Sequence, residues 1–374
     1  MSEAVDVDDV VGTPDSDVAA VRAGEELDWP ALEAFLREQL PDLSGPFSVK
    51  QFPRGSANLT YRVTIGNTHL VVRRPPFGAL AAGGHDMSRE HRVLARLHRA
   101  YNRAPQSYLH CDDPTVIGAE FFVVEYRQGY VVWDHVQTEI SDEPDASVRV
   151  GLAVIDALAD LHEVDPAACG LQDLGRPDGF LERQVAGWTR RWQAVSEYST
   201  LPDAAATSAL VDEVGARLAR TQPRSQRAGI VHNDFKIDNC QFAAGDADRV
   251  VSVFDWDMAT TGDTLADLGT LLSHWPDRGL PADDVNAFIA ASATRALDLP
   301  SRADVIARYA RTSALDLANI AWYEAFGCWR TVVILQQLYA RHVRGQTSDE
   351  RMAQRGLMVA PLARRALALL GGTP

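Results

Sequence analysis

The sequence predicts an α+β protein with a small amino-terminal part built on an antiparallel sheet and a larger, mainly helical carboxy-terminal part. Two observations lead to this fold class. Between Phe47 and Arg73 the chain consists of short apolar runs with strand periodicity, separated by turn residues. From Ala146 onward, apolar residues recur at spacings of three and four, as in amphipathic helices. We predict an amino-terminal lobe over residues 25–126 and a carboxy-terminal lobe over residues 127–374.

Composition narrows the class of protein further. A chain of 374 residues with 46% hydrophobic content can bury a large core. No apolar run is long enough for a membrane helix and the amino terminus lacks the pattern of a signal peptide, so we expect a cytoplasmic protein with no membrane partner. The net charge of -15 argues against a nucleic acid partner. Four scattered cysteines indicate neither a zinc cluster nor a disulfide framework. The oligomeric state is not indicated.

The predicted amino-terminal lobe begins after a tail, residues 1–24, that is acidic, lacks periodicity and is expected to be disordered. A capping Asp and an early Pro then predict a first helix, and β-rich runs follow it. The helices expected here are Asp28–Leu40 and Asp86–Tyr101, and the strands are Phe47–Phe52, Leu59–Ile65, His69–Arg73 and Phe121–Gly129.

The predicted carboxy-terminal lobe is a series of helices. Its aromatic-rich stretch, residues 322–330, is expected to be mostly core, but Glu324 and Arg330 are polar enough to contact a substrate. The helices expected are Ala146–Val164, Gly179–Ser196, Ala205–Arg220, Asp263–Trp275, Ala282–Leu297, a continuous segment Arg302–Arg344, and Asp349–Leu370.

The strongest chemical signal lies where two short apolar runs end, at Asp234 and Asn239 after the first and at Asp255 after the second. Transfer of a phosphoryl group to an alcohol needs a carboxylate to accept the proton, and Asp234 is suited to that role. Mg²⁺ prefers oxygen ligands, so Asn239 and Asp255 are the candidate metal ligands. Lys236 is expected to reach the moving phosphoryl group and His232 to orient the loop by hydrogen bonding.

The two motifs, His232-Asn-Asp-x4-Asn239 and Phe254-Asp-Trp-Asp257, resemble the catalytic and metal-binding motifs of the aminoglycoside phosphotransferase and choline kinase group. That resemblance implies a two-lobed protein-kinase-like fold. One departure is Asn233, which stands where the group usually has Gly. Asn adopts left-handed backbone angles more readily than most residues, so the loop is expected to survive the change. Asp267 either accepts backbone hydrogen bonds from the catalytic loop or is merely structural, and we favour the second.

The same resemblance implies a nucleotide-binding role for residues of the amino-terminal lobe. A loop would close over the phosphates, and a strand cation would pair with a helix carboxylate, Glu90. Most kinases use Lys as that cation, whereas this chain offers Arg73 or Arg74. We favour Arg73, because it continues the face set by Val71 and Arg74 is expected to point to solvent. The residues expected to bind the nucleotide are Gly55, Ser56, Ala57, Arg73, Glu90, Glu125 and Tyr126.

Further details resemble the phosphotransferase-like domain that is fused to some acyl-CoA dehydrogenases. The segments that carry this resemblance are residues 70–78, 85–91, 259–268 and 323–326. It implies a kinase that uses Mg²⁺ and ATP, with GTP as an alternative, to phosphorylate a small-molecule hydroxyl. A hydroxyacyl compound or its CoA ester is one acceptor that the resemblance suggests. An aminoglycoside-modifying resistance kinase and a nucleotide-binding pseudokinase with a regulatory role are the alternatives.

Overall fold

The computed structural model describes residues 18–52, 58–77, 86–276, 297–347 and 349–371. The chain divides into two compact units, which we call the amino-terminal unit and the carboxy-terminal unit. The first comprises the described parts of Met1–Ala95 together with Pro105–Tyr130, and the second comprises Arg96–Ala104 and the described parts of Val131–Pro374. The first is built on a sheet and the second mainly on helices, so the predicted α+β class is confirmed.

The amino-terminal unit contains the helices α1 Trp29–Gln39, α2 Met87–Leu97 and α3 Pro114–Ile117, and the strands β1 Phe47–Gln51, β2 Leu59–Ile65, β3 Thr68–Arg74, β4 Ser107–Cys111 and β5 Phe121–Glu125. The five strands form an antiparallel sheet of order β1-β2-β3-β5-β4. One face of β3 is apolar because Leu70 and Val72 alternate with more exposed residues, and this face belongs to a core that includes Leu32 and Leu36 of α1.

Two features of this unit differ from expectation. Strand β4 was not predicted, because its central residues Tyr108 and Leu109 are adjacent apolar residues without alternation. Residues 18–24, which the predicted tail includes, make ordered contacts. The backbones of Ala19 and Gln51 exchange two hydrogen bonds of 2.8 Å, and the amide of Arg22 donates to the Gln51 side chain at 2.8 Å. The remaining tail, residues 1–17, lies outside the described residues.

The carboxy-terminal unit packs most of its described helices around a long central one, α9 (Ile320–Val343). Every residue of its neighbour α7 (Leu265–Ser273) is buried. Glycines allow the two helices to approach closely, since a Cβ at Gly269 would lie 2.4 Å from the carbonyl carbon of Tyr323. The other helices are α4 Ala146–His162, α5 Phe180–Gln193, α6 Ala204–Arg220, α8 Arg302–Thr312, α10 Arg351–Arg355 and α11 Val359–Leu369.

The predicted continuous helix Arg302–Arg344 is wrong, since α8 ends at Thr312 and α9 begins at Ile320. The intervening chain has its own hydrogen bonds. The amide of Asp316 donates to the side-chain oxygen of Gln226 at 2.8 Å, and the Asp316 carboxylate accepts from the amide of Ala318 at 2.9 Å. A distant partner therefore overrides the local helical pattern. The predicted helix Ala282–Leu297 lies almost wholly outside the described residues.

Two antiparallel strand pairs carry the loops of interest in the carboxy-terminal unit. Strand β7 (Ala228–Val231) pairs with β10 (Thr260–Asp263), and β8 (Cys240–Ala243) pairs with β9 (Asp246–Val253). Strand β6 (Tyr130–Val131) is the third strand of the β8-β9 sheet. None of the helices in the described ranges is both long and apolar enough to cross a membrane.

Candidate active site

The loop between β7 and β8 begins with His232, whose ring is fully buried. Its Nε2 lies 2.8 Å from the carbonyl oxygen of Phe254, and its Nδ1 accepts from the amide of Asp234 at 3.2 Å. The carbonyl needs a donor and the amide needs an acceptor, so the proton is on Nε2. His232 therefore connects the two loops by hydrogen bonds, with neither nitrogen left over to act as a base.

Asn233 adopts a left-handed backbone conformation with φ of 69°. Such angles are unfavourable for most side chains but tolerated by Asn, in line with the sequence argument for this position. The Asn233 side chain is also used, because its Nδ2 donates to the carbonyl oxygen of Met258 at 2.9 Å. Asn233, which stands where the group usually has Gly, thus adopts a left-handed conformation that suits Gly and adds a side-chain hydrogen bond to Met258.

The side chain of Asp267, on α7, binds the backbone of the same loop. Its carboxylate is fully buried and accepts from the amides of His232 at 2.6 Å and Asn233 at 2.7 Å. Behind it, His162 Nε2 lies 3.4 Å from Asp267 Oδ2, and His162 Nδ1 lies 2.7 Å from the Tyr309 hydroxyl. Of the two alternatives for Asp267, the structure supports the one that we did not favour, in which it accepts backbone hydrogen bonds from the loop that begins at His232.

The carboxylate of Asp234 lies at the centre of the site. Lys236 Nζ is 3.0 Å from Asp234 Oδ2, and Asn239 Nδ2 donates to the same oxygen at 3.3 Å and to the Asp234 carbonyl at 2.8 Å. Burial acts to lower the pKa of Lys236, but attraction by Asp234, Asp238 and Asp255 outweighs it and raises that pKa. Lys236 is therefore a permanent cation beside Asp234 at neutral pH.

Asp255 is the second residue in left-handed conformation, with φ of 68°. A non-glycine residue held in this region is strained, and such strain is concentrated at functional sites. The amide of Phe254 donates to the Asn239 carbonyl at 2.9 Å, which ties the Asp255 loop to the end of the Asp234 loop. The structure thus brings together five predicted site residues within the carboxy-terminal unit: His232, Asp234, Lys236, Asn239 and Asp255.

Arg330 of α9 is a site residue whose contact the motifs did not predict. It is only 6% exposed, and its Nη2 donates to the carbonyl oxygen of Asn233, directly before Asp234. Its guanidinium also lies 5.7 Å from the ring centroid of Trp188. Burial lowers the pKa of Arg330, while the charges of Asp234 and Asp267 raise it. The guanidinium remains charged at any physiological pH because its ordinary pKa is so high.

His274, directly after α7, lies within electrostatic reach of the same groups. Burial lowers its pKa to about 4, and Lys236, Arg330 and Arg365 act in the same direction against the opposing charge of Asp234. Its imidazole is therefore neutral at pH 7. Glu324, by contrast, is 1% exposed and forms ion pairs with Arg302 and with Arg365, the latter at 2.9 Å. The suggestion that Glu324 contacts a substrate is thus wrong, because both carboxylate oxygens are bound within the helical core.

In the amino-terminal unit, Arg73 Nη1 lies 2.8 Å from Glu90 Oε1. This is the pair that the sequence analysis favoured. Arg74 does not point to solvent as expected. It is 3% exposed and donates to the carbonyls of Pro75 at 2.9 Å and Ile117 at 3.1 Å. The reason is strand alternation, which puts Arg74 on the core-facing side with Leu70 and Val72.

We expect Arg73→Gln to destabilise the protein by roughly 3 kcal/mol, because it removes a cation beside a carboxylate that is almost fully buried. Chemical denaturation would measure this change. The matched variants are Glu90→Gln and the double substitution, which removes both charges. The double variant should be less destabilised than the sum of the singles. Additive effects would show that the two side chains do not interact.

The remaining nucleotide-binding candidates are distributed as follows. Gly55, Ser56 and Ala57 lie outside the described residues. Glu125 ends β5, and its amide donates to the Gln106 carbonyl at 2.8 Å, so this backbone donor already has a partner within the protein. The Tyr126 ring packs edge-on against His69, with centroids 5.5 Å apart.

A sheet-based unit and a mainly helical unit, the latter with two loops tied together through Asn239 and a buried Asp beneath them, are the features of the protein-kinase-like fold class. The sequence agrees with this assignment. The chain belongs to the phosphotransferase enzyme family known as APH, whose family model matches residues 48–304.

Relatives and solved structures define the similarity further. Acyl-CoA dehydrogenase family member 11 of Gallus gallus is 31% identical over 358 residues, covering 93% of this chain but only 44% of that protein. The chain thus spans less than half the length of this relative. A provisionally assigned aminoglycoside phosphotransferase from Ralstonia eutropha is 27% identical, with a TM-score of 0.74 over 92% of this chain and 99% of that one. Aminoglycoside phosphotransferase APH(4)-Ia, solved with AMP-PNP and hygromycin B, is 17% identical with a TM-score of 0.53, over 91% of this chain and 98% of that one. The predicted family and protein-kinase-like fold are confirmed.

Proposed function

We propose that the protein is an ATP-dependent phosphotransferase that moves the γ-phosphoryl group to a hydroxyl of a small molecule. The observation that carries this proposal is the environment of Asp234. Its carboxylate is held between Lys236 and Asn239, on a loop whose backbone amides are fixed by Asp267. A reacting group fixed in this way loses little entropy when the acceptor is aligned for transfer.

In this proposal Asp234 orients the acceptor hydroxyl and takes its proton as the bond to phosphorus forms. The proton leaves the oxygen late, since the transition state is loose and the nucleophile is only partly bonded. Lys236, 3.0 Å from Asp234, neutralises charge on the transferred phosphoryl oxygens. His232 holds the loop beside the Asp255 loop through its bond to the Phe254 carbonyl and is not the base.

Asn239 and Asp255 fit the requirements of a magnesium ion. Asn239 donates through Nδ2 to Asp234, so its amide oxygen faces away from that bond and accepts no hydrogen bond from the described residues. An amide oxygen and a carboxylate are hard ligands, and Mg²⁺ in such enzymes takes its other ligands from water and phosphate. When bound, the ion neutralises charge on the nucleotide phosphates. The described part of the chain contains no cluster of three or more His, Cys, Asp or Glu side chains that could hold a metal ion. The proposed site is different in kind, because it consists of one amide oxygen and one carboxylate.

We expect Asp255→Asn to weaken metal-dependent nucleotide binding rather than proton transfer, because it removes an anionic metal ligand. The Mg²⁺ concentration for half-maximal binding of AMP-PNP should rise about 10-fold or more. Calorimetric titration of AMP-PNP at varied Mg²⁺ would measure this. The neighbouring Asp257→Asn is the matched control. Equal Mg²⁺ dependence in wild type and Asp255→Asn would contradict the metal role.

An adenine nucleotide is the donor we propose, with Arg73 and Glu90 as its phosphate-binding pair. The 2.8 Å pair supports this role because it holds a guanidinium in one orientation. The related APH(4)-Ia structure holds AMP-PNP, which favours ATP over GTP. As the acceptor we propose a hydroxyacyl compound or its CoA ester, which would agree with the acyl-CoA dehydrogenase relatives.

Incubation with Mg-ATP and a panel of hydroxy acids, hydroxyacyl-CoAs, aminoglycosides and choline-like alcohols would test the proposal by mass spectrometry of the products. We expect one acceptor class to gain a phosphoryl group of ATP in a reaction that requires Asp234. Selective phosphorylation of aminoglycosides would support a resistance kinase instead. Nucleotide binding without any product would indicate a pseudokinase.

A further inference from the structure

Arg330 has a capacity for anion binding that its contacts with the described residues do not use. Its guanidinium carries five N–H donors, of which one contacts the carbonyl oxygen of Asn233. Arg330 is only 6% exposed, yet it forms no ion pair with a carboxylate of the described residues. Burying a charged group without a counterion is costly, so such a group indicates a missing anionic partner.

The nearby acids do not fill this role. Asp234 is paired with Lys236 at 3.0 Å, and Asp267 accepts two backbone amides. Asp234 and Asp267 favour the charge of Arg330 by attraction through space, but neither forms an ion pair with it, and a second guanidinium lies close by. Arg191 lies 4.3 Å from the centroid of the same Trp188 ring that Arg330 contacts, and its charge disfavours that of Arg330. Two guanidinium groups at one ring form a place that attracts an anion.

The position of Arg330 links this capacity to catalysis. Its bond to the Asn233 carbonyl puts the guanidinium beside the residue that precedes Asp234, and consecutive Cα atoms are only about 3.8 Å apart. A group bound by Arg330 is therefore close to a hydroxyl aligned on Asp234.

We propose that Arg330 binds an oxyanion of the acceptor, a carboxylate or a phosphate, about two to four bonds from the hydroxyl that is phosphorylated. This inference rests on the proposed phosphotransferase function and specifies its acceptor as a compact anionic hydroxy compound. A polycationic acceptor would offer Arg330 no oxyanion and would be repelled by its charge.

Matched acceptor pairs test the inference. Steady-state transfer from Mg-ATP would be compared for 3-hydroxybutyrate and its methyl ester, and for glycerol 3-phosphate and glycerol, which separates carboxylate from phosphate recognition. We expect wild type to prefer the anion in at least one pair. Arg330→Gln should raise the KM of that anion at least about 30-fold. It should leave the KM of ATP and of the neutral counterpart within about 3-fold, and Arg330→Lys should recover part of the loss.

Arg344→Gln is the control variant, because Arg344 follows the same helix and also contacts an aromatic ring, that of Tyr198 at 5.0 Å. It should change none of these constants. Thermal unfolding of each variant would verify that the fold is retained. An equal fall of kcat for charged and neutral acceptors in Arg330→Gln would show that Arg330 serves only the loop backbone, and would overturn the inference.

Direct binding decides the case in which none of these four compounds is phosphorylated. Calorimetry with 3-hydroxybutyrate and glycerol 3-phosphate, in the presence of Mg-AMP-PNP, should then show binding that is lost in Arg330→Gln. Absence of binding to wild type would overturn the inference. Efficient transfer to neutral alcohols alone would also overturn it while leaving the phosphotransferase function intact. Absence of both nucleotide binding and transfer to any acceptor would instead contradict the proposed phosphotransferase function, on which the inference rests.

Discussion

Asp234→Asn is expected to lower kcat about 1,000-fold or more while Mg-ATP binding stays within about 3-fold of wild type. The amide cannot accept the acceptor proton, but the substitution preserves the shape of the side chain. It also keeps an oxygen that can accept from Asn239 Nδ2. Single-turnover transfer to the identified acceptor, together with calorimetric titration of ATP, would separate the chemical step from binding.

The control for this experiment is Asp238→Asn. Asp238 lies on the same loop, with Oδ2 3.8 Å from Lys236 Nζ, and burial raises its pKa. Removing its charge perturbs the same lysine without removing the proposed base, so we expect less than about a 10-fold change in kcat. Equal transfer by wild type and Asp234→Asn would refute the assignment of the base.

Asp267→Asn should have the second large effect, on both stability and turnover. Both oxygens of this buried carboxylate accept backbone amides, at 2.6 and 2.7 Å. An asparagine can offer only one acceptor there, and its NH₂ would face an N–H donor. We expect a loss of about 3–4 kcal/mol in unfolding free energy. We also expect kcat to fall about 100-fold at temperatures where the variant is folded, because the loop geometry is no longer held.

Asp263→Asn separates these two effects. Asp263 is also buried and stands four residues before Asp267, but it bonds the Tyr323 hydroxyl at 2.8 Å and the Leu265 amide at 3.1 Å rather than the catalytic loop. The Asp263→Asn variant should be less stable than wild type but keep the kcat of wild type. A kcat for Asp267→Asn no lower than that of Asp263→Asn would show that Asp267 supports only the fold.

The local parts of the site could be predicted because each depends on residues close together in sequence. The spacing from His232 to Asn239 and the strand endings before Asp234 and Asp255 are written in the chain as short patterns. The tolerance of Asn233 for φ of 69° is a property of that residue type. The pairing of Arg73 with Glu90 could be predicted for a similar reason. Strand alternation favours Arg73, and the resemblance to the family indicates Glu90 as its partner. The roles of these residues in transfer stay predictions.

Other features depend on partners far away along the chain, and there the patterns misled. Arg74 is buried and donates to the carbonyl of Ile117, 43 residues away, although its charge suggests solvent. Glu324 is bound by Arg302 and Arg365, which lie 22 and 41 residues away. The helix over residues 302–344 is interrupted by a contact with Gln226.

The α+β class thus follows from periodicity, and the family could be recognised by the resemblance of two short motifs, because both depend on residues close together in the chain. The hydrogen bonds of Asp267 to that loop and the contact of Arg330 with Asn233 cross 34 and 97 residues. No local pattern encodes them, because such contacts form only when helices pack closely enough for buried polar groups to find partners. Folding therefore determines which of many plausible polar residues meet Asp234.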